Sequence, residues 1–246
     1  MSLPVFVVES LGDARPGGTV ELTGDEARHA VVVRRIRVGE RVALTDGRGT
    51  TATCAVTATG RTTLTGAVED VSRAEQASPR LVVVQAIPKG DRGELAVEML
   101  TEVGADALVP WAAARSVAVW RGERGAKSLA KWRSSAREAA KQSRRSWFPE
   151  VTGLASTRDV AALLRDAALA VVLHEAAEAP LAALDVPERG DVVVVVGPEG
   201  GVSDEELEAF VRAGARAFRL GSSVLRTSTA GVAACAALLS RTARWS

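Results

Sequence analysis

Apolar positions along this chain follow two rhythms. From residue 80 onward they gather into short blocks with almost no polar residue: Leu81–Ile87, Ala107–Trp111, Ala170–Leu173 and Val192–Val196. Such blocks, rich in β-branched residues, predict central strands of a parallel sheet, buried on both faces. Between them apolar residues recur at helical spacing. Leu95, Met99, Leu100 and Val103 share one face of a helix over Glu94–Val103 that Gly104 stops. Leu129, Trp132, Ala136 and Ala139 or Ala140 do the same over Lys127–Gln142, and Val160, Leu163 and Leu164 over Asp159–Ala168. Ser203, with Glu206 three positions on, caps a helix carrying Leu207, Phe210 and Val211. A short strand, Ala217–Leu220, and a helix of mostly small residues, Ala230–Leu239, complete the series. Alternation of strand and helix predicts parallel pairs joined by crossovers.

The N-terminal third reads differently. Val5–Val8, Arg41–Thr45, Thr50–Thr57 and Thr62–Val71 are strand-like, the later ones alternating Thr with Ala, Cys and Val. Asp46-Gly47 with Gly49, and then Gly60, supply turns. Thr23-Gly24-Asp25-Glu26 starts a short helix ending near Arg34. Short strands with turn signals predict a small barrel. Ser72–Pro79 is polar and reads as a linker. The expected organisation is a β domain over residues 1–73 and an α/β domain over 80–246.

Composition narrows the classes. The formal net charge of the 246 residues is only +1, so no global field announces nucleic acid. Distribution says more: ten basic residues against two acidic ones lie between Arg115 and Arg145. Cys54 and Cys235 are isolated, as are His29 and His174, which points away from a disulfide framework and from a metal site. With no signal peptide and no apolar run of the roughly 20 residues a membrane span needs, the expectation is a soluble cytoplasmic protein. The chain has neither Asn nor Tyr.

Candidate chemistry gathers near the C-terminus. Val192–Val196 runs into Gly197-Pro198-Glu199-Gly200-Gly201, and the next strand into Gly221-Ser222-Ser223-Val224-Leu225-Arg226-Thr227. Loops at the carboxyl ends of parallel strands are where open α/β sheets bind ligands. Neither loop is a P-loop or a G-x-G-x-x-G turn. From the residues alone this is a small-molecule site with an unusual glycine loop. His174, in the loop after a third strand, fits a structural hydrogen bond better than a catalytic base.

Gly197-Pro198-Glu199-Gly200-Gly201, followed by Leu220-Gly221-x-x-Val224-Leu225-Arg226-Thr227-x-Thr229-Ala230, resembles the signature pair of the SPOUT methyltransferases. Within them it is similar to the RsmE family, which methylates N3 of a uridine in small-subunit (16S) ribosomal RNA. Lys89-Gly90-x-Arg92, Arg115-Ser116-Val117, the run Glu138 to Pro149 and the His29–Glu40 segment fit the same pattern. The resemblance implies a parallel-sheet domain with a trefoil knot, preceded by a PUA-like RNA-binding β-barrel. It implies S-adenosyl-L-methionine as cofactor, bound near Leu173, Gly197, Glu199, Gly200, Leu220, Gly221, Val224, Leu225 and Ala230. Arg226 is the candidate for stabilising the anion that forms when uridine N3 loses its proton. Glu199 is the candidate for orienting the base or accepting that proton. Arg34, Arg35, Arg37, Arg115, Gln142, Arg144 and Arg145 are the candidate RNA contacts. As residues alone, these arginines also fit a solvated basic surface. The partners implied are ribosomal RNA or the 30S subunit and a second copy of the chain, with no metal and no membrane. Ser222, Ser223 and Ser228 depart from the family pattern, so no role is carried to Ser223 or Ser228. The absence of Asn fits base methylation better than ribose methylation. Without the resemblance, another cofactor- or nucleotide-binding α/β enzyme or a non-catalytic RNA-binding protein fits as well.

Overall fold

The computed structural model describes residues 3–245. They form two compact units, one of residues up to Gln76 together with Ala140–Phe148, the other of Ala77–Ala139 and Pro149 onward.

The first unit is a curled five-stranded sheet. Its strands are β1 (Val5–Val7), β2 (Thr19–Thr23), β3 (Arg41–Thr45), β4 (Thr50–Thr59) and β5 (Thr63–Arg73), in the order β1-β3-β4-β5-β2. Only the β1–β3 pair is parallel. Thr alternates with smaller apolar residues along β4, so Ala52, Cys54 and Val56 point into the core with Phe6, Leu44 and Leu64. Register shifts at Thr53/Cys54 and Val56/Ala58 mark bulges in β4, and bulges increase local twist.

Helix α1 (Gly24–Arg28) continues directly into a π-helical turn, His29–Val33. Arg34 N–H reaches back five residues to His29 C=O, 2.9 Å away. The sequence pattern gives the helix and its end near Arg34, but not this wider turn. A turn one residue too long leaves Val32 and Val33 exposed.

Ala140–Phe148 completes this unit. Gly47 and Gly49 hold positive φ (66° and 97°), and a side chain at Gly49 would meet the Trp147 indole at 2.7 Å. Phe148 N–H donates to Gly47 C=O, Gly49 N–H to Ser146 C=O and Trp147 Nε1–H to Ala74 C=O, each at 2.9 Å. Trp147 and Phe148 are therefore packed on the glycine turn.

The second unit is built on a six-stranded, all-parallel sheet. It comprises β6 (Arg80–Ala86), β7 (Ala107–Trp111), β8 (Glu150–Val151), β9 (Leu169–Leu173), β10 (Asp191–Val196) and β11 (Arg216–Phe218), ordered β11-β9-β10-β6-β7-β8. The valine run lies at its centre. Val192, Val194 and Val196 enter the core beneath α2 (Arg92–Val103), α3 (Gly122–Gln142) and α6 (Thr227–Leu239). Val193 and Val195 enter the opposite core beneath α4 (Thr157–Asp166) and α5 (Asp204–Arg212). This two-sided burial is the reason the run carries no polar position.

Helix boundaries moved where caps decide them. Helix α4 starts at Thr157 because Ser156 and Asp159 form a reciprocal capping box, with Ser156 N–H donating to Asp159 Oδ2 at 2.9 Å. That hydrogen bonding, first through the Ser156 hydroxyl, holds the Asp159 carboxyl below its ordinary value. The two-residue β8 carries too little pattern to be read from sequence.

Candidate functional site

Strands β11, β9 and β10 are adjacent, and their carboxyl ends send out the loops 219–226, 174–190 and 197–203. Backbone hydrogen bonds fasten the first two together. His174 N–H donates to Phe218 C=O (3.0 Å), Arg219 N–H to Ala179 C=O (3.0 Å) and Leu181 N–H to Arg219 C=O (2.9 Å). The Arg219 guanidinium adds hydrogen bonds to the carbonyls of Ala177 (3.0 Å) and Glu178.

The glycine loop is held from behind. Gly201 has φ +75°, a conformation that L side chains rarely adopt, and its N–H closes a turn onto Pro198 C=O at 2.9 Å. Ser203 and Glu206 form the capping box of α5. The buried Glu206 carboxylate accepts from Ser203 N–H (3.0 Å), from Ala114 N–H (2.7 Å) and from the Thr157 hydroxyl (3.2 Å). It therefore ties the loop's exit to the chain after β7. The neighbouring Glu205 carboxyl is held below its ordinary value, first by backbone hydrogen bonding at its own turn, then by Ser203, and less by the charge of Arg115. Arg115 itself donates to the carbonyls of Gly200 (3.3 Å) and Val202 (3.4 Å).

Between these loops lies a cleft of about 460 Å³, within the range of small-molecule sites. All nine residues expected at the cofactor, and Arg226, line it. Its lining includes the glycine loop and the apolar residues Leu173, Leu220, Val224 and Leu225. Val224 is 79% exposed and Leu225 40%. Two large apolar side chains uncovered at the rim of a backbone-lined cleft suit the faces of a purine nucleoside. Glu199 reaches toward the loop after β6, where Oε1 accepts from Lys89 N–H at 3.2 Å and lies 3.8 Å from Arg92 Nη1.

Three contributors were not singled out as site residues from the sequence. Arg92 lines the cleft, and so does Thr227, whose hydroxyl donates to Gly197 C=O at 2.8 Å. Gln85, at the end of β6, donates to Thr227 Oγ1 at 2.9 Å. A buried Gln closing an apolar strand was the available signal. His174 also lines the cleft, and its Nδ1 accepts from Ala176 N–H at 3.3 Å. On a neutral ring this leaves the proton on Nε2, so the loop histidine makes the structural hydrogen bond.

The expected RNA contacts fall in both units. Arg34, Arg35 and Arg37 are exposed after the π turn, and Gln142 and Arg144 are exposed at the end of α3. Arg145 is half-buried, its Nε donating to Trp147 C=O at 3.0 Å. Arg35 and Arg144, both at φ 57°, are the only non-glycine residues with positive φ among the described residues. No group of three or more His, Cys, Asp or Glu side chains suited to a metal ion occurs among the described residues, and no helix there is long and apolar enough to cross a membrane.

Known proteins share this arrangement. Residues 75–239 match the model of an RNA methyltransferase domain, and residues 22–69 that of an RNA methyltransferase PUA domain. The class is thus an α/β RNA methyltransferase carrying a PUA domain. A Mycobacterium bovis ribosomal RNA small subunit methyltransferase E is 44% identical, the match covering 98% of this chain and 93% of that one. The Bacillus subtilis protein of the same name is 28% identical over 89% of each. The crystal structure of the Neisseria gonorrhoeae protein of that name, bound to S-adenosyl methionine, superposes with TM-score 0.85 at 28% identity, over 97% of this chain and 98% of that one. The chain belongs to the ribosomal RNA small subunit methyltransferase E (RsmE) family.

Proposed function

We propose that this protein transfers the methyl group of S-adenosyl-L-methionine to N3 of a uridine in 16S ribosomal RNA. The observation that carries the reading is the cleft between the loops after β9, β10 and β11, lined by all nine expected cofactor residues and Arg226. Support comes from relatives named for small-subunit RNA methylation and from a related structure that holds S-adenosyl methionine.

Bound in the cleft, the cofactor would supply an electrophilic methyl group. Gly197, Gly200 and Gly221 would let backbone approach it closely, while Leu173, Leu220, Val224 and Leu225 would cover the adenine faces. Uridine N3 bears a proton and has no free lone pair until that proton passes to water. Arg226, at the N-cap of α6 and on the cleft wall, would stabilise the resulting imide anion through a uracil carbonyl. Glu199, fastened toward Lys89 and Arg92, suits orienting the base better than carrying a proton away. Holding nucleophile and methyl in line supplies much of the acceleration. The uridine must be unpaired or flipped to reach the cleft.

Arg34, Arg35, Arg37, Gln142, Arg144 and Arg145 would meet phosphate and sugar groups. Arg115 would serve the RNA only as far as its hold on Gly200 and Val202 allows. Helix α6 supports a homodimer: Val232, Ala233, Ala236 and Ala237 are half-buried and apolar, a face that a second copy would cover. A cytoplasmic location follows from a ribosomal substrate. We place the β domain at residues 1–73 and the methyltransferase domain at 80–246, with Ala140–Phe148 packed on the former.

Mass mapping of 16S RNA from cells lacking the protein, with and without complementation, tests the reading. A single uridine losing one methyl group and regaining it on complementation is the expected result. Unchanged RNA, with no methyl transfer by purified protein to naked RNA or 30S subunits, would overturn it.

A further inference from the structure

The cofactor cleft rests on a buried polar relay that ends on two of its lining residues, Thr227 and Gly197. Gln85, the penultimate residue of β6, is 1% exposed and follows four buried apolar residues of the strand. Its Nε2 donates to Ala86 C=O (3.1 Å) and to Thr227 Oγ1 (2.9 Å). Ala86 C=O can only accept, so the amide nitrogen, not the oxygen, must face it. The Thr227 oxygen thus accepts a hydrogen bond from Gln85, and its own hydrogen is directed to Gly197 C=O, 2.8 Å away. The direction of all three groups is fixed. Strand β6, helix α6 and the glycine loop after β10 are joined at one point.

Gln85 holds this place at a cost. Its Oε1 is buried and has no hydrogen-bond partner, a state that natural cores rarely tolerate. An apolar side chain of the same length would fill the space without that orphan. What the amide supplies in return is its two donated hydrogen bonds. What it does is set the Thr227 hydroxyl, and through it the Gly197 peptide at the mouth of the cleft.

We propose that Gln85 and Thr227 are positioning residues for the methyl donor. They hold the Gly197 peptide so that the loop presents its backbone to the cofactor, and the requirement is for binding rather than for stability. This rests on the reading of the cleft as an S-adenosylmethionine site.

The test compares wild type, Thr227→Val, Thr227→Ser, Gln85→Met and the Gln85→Met/Thr227→Val double variant. Each is titrated with S-adenosylmethionine by calorimetry and melted without it. Loss of one hydrogen bond of this kind corresponds to about tenfold in Kd. Thr227→Val and Gln85→Met should each weaken binding by about that factor, and Thr227→Ser should restore it to within about twofold. Gln85→Met removes the orphaned oxygen but also the two hydrogen bonds from Nε2, so Tm should change little. The double variant should bind no more weakly than Thr227→Val alone, since both act through one carbonyl. Wild-type affinity in Gln85→Met, or affinity losses that track losses of Tm with no rescue by serine, would overturn the proposal. Wild type giving no heat with the cofactor would instead overturn the reading of the cleft itself. If Thr227→Val fails to fold, Gln85→Met against Thr227→Ser still decides the matter.

Discussion

Lys141 places its ammonium 2.9 Å from Glu26 Oε1, and the two side chains are only 6% and 18% exposed. The other Glu26 oxygen accepts from Val7 N–H at 3.2 Å. The long basic helix α3 thus ends by burying one of its charges in the β unit, against α1.

Breaking a buried pair from one side leaves the remaining charge desolvated, which costs about 3–5 kcal/mol. Lys141→Ala should fall near the low end, about 3 kcal/mol, because Glu26 keeps its other partners. Replacing both, Glu26→Leu with Lys141→Met, should recover most of that loss. Urea denaturation of the single and double variants checks this, and equal losses in both would contradict it.

Glu206→Ala removes the carboxylate that joins Ser203, Ala114 and Thr157. It deletes a helix cap and charge-assisted hydrogen bonds together, so the expected loss is about 2–4 kcal/mol. Cofactor affinity should fall as well, because the exit of the glycine loop is no longer fixed. Glu206→Gln should keep much of the stability. Thermal melts and calorimetric titration of the two variants read both effects.

Arg226→Ala should leave S-adenosylmethionine affinity within about threefold while lowering kcat by about 10²–10³, the usual cost of losing an oxyanion-stabilising donor. Single-turnover methyl transfer on 30S subunits, with the Kd measured separately, distinguishes the two. Equal losses in binding and turnover would remove Arg226 from the anion-stabilising role.

Gly201→Ala forces a side chain into φ +75°, at about 1–2 kcal/mol. Gly197→Val is the sharper probe. A Cβ there would lie 3.0 Å from Val202 Cγ2 and 3.3 Å from Val202 N, so the loop itself must shift. Cofactor binding should suffer more than Tm.

Burial pushes the Cys235 thiol up to about 12 and the Cys54 thiol up to about 11, from an ordinary value of 9.0. Both stay protonated at neutral pH and should resist alkylation until the protein unfolds. The sign for stability follows from proton binding: above 9 the unfolded thiols lose protons that the folded ones keep. Stability should therefore decline as pH rises from about 9 toward 12. Alkylation counted by mass should give zero without denaturant and two with it.

The central architecture was legible because the central strands β6, β7 and β10 are buried on both faces, and the Val192–Val196 run shows it most plainly. The Ser203–Glu206 box marked α5 for the same kind of reason, a local chemical need met by specific residues. The nine expected cofactor residues do line one cleft, but that expectation came from likeness to a family and not from patterning. What escaped had no local signature. Strand β2 is held by its register with β5, the π turn needs one extra residue that composition does not encode, and Gln85 matters only because α6 brings Thr227 back across 142 positions.

Of the chain's five tryptophans, Trp147 alone belongs to the first unit, seated against Gly49 and hydrogen-bonded to Ala74. Replacing the other four by phenylalanine would leave a protein whose tryptophan emission comes from that unit alone. Its melting, and any RNA that quenches the indole, could then be watched without attaching a dye.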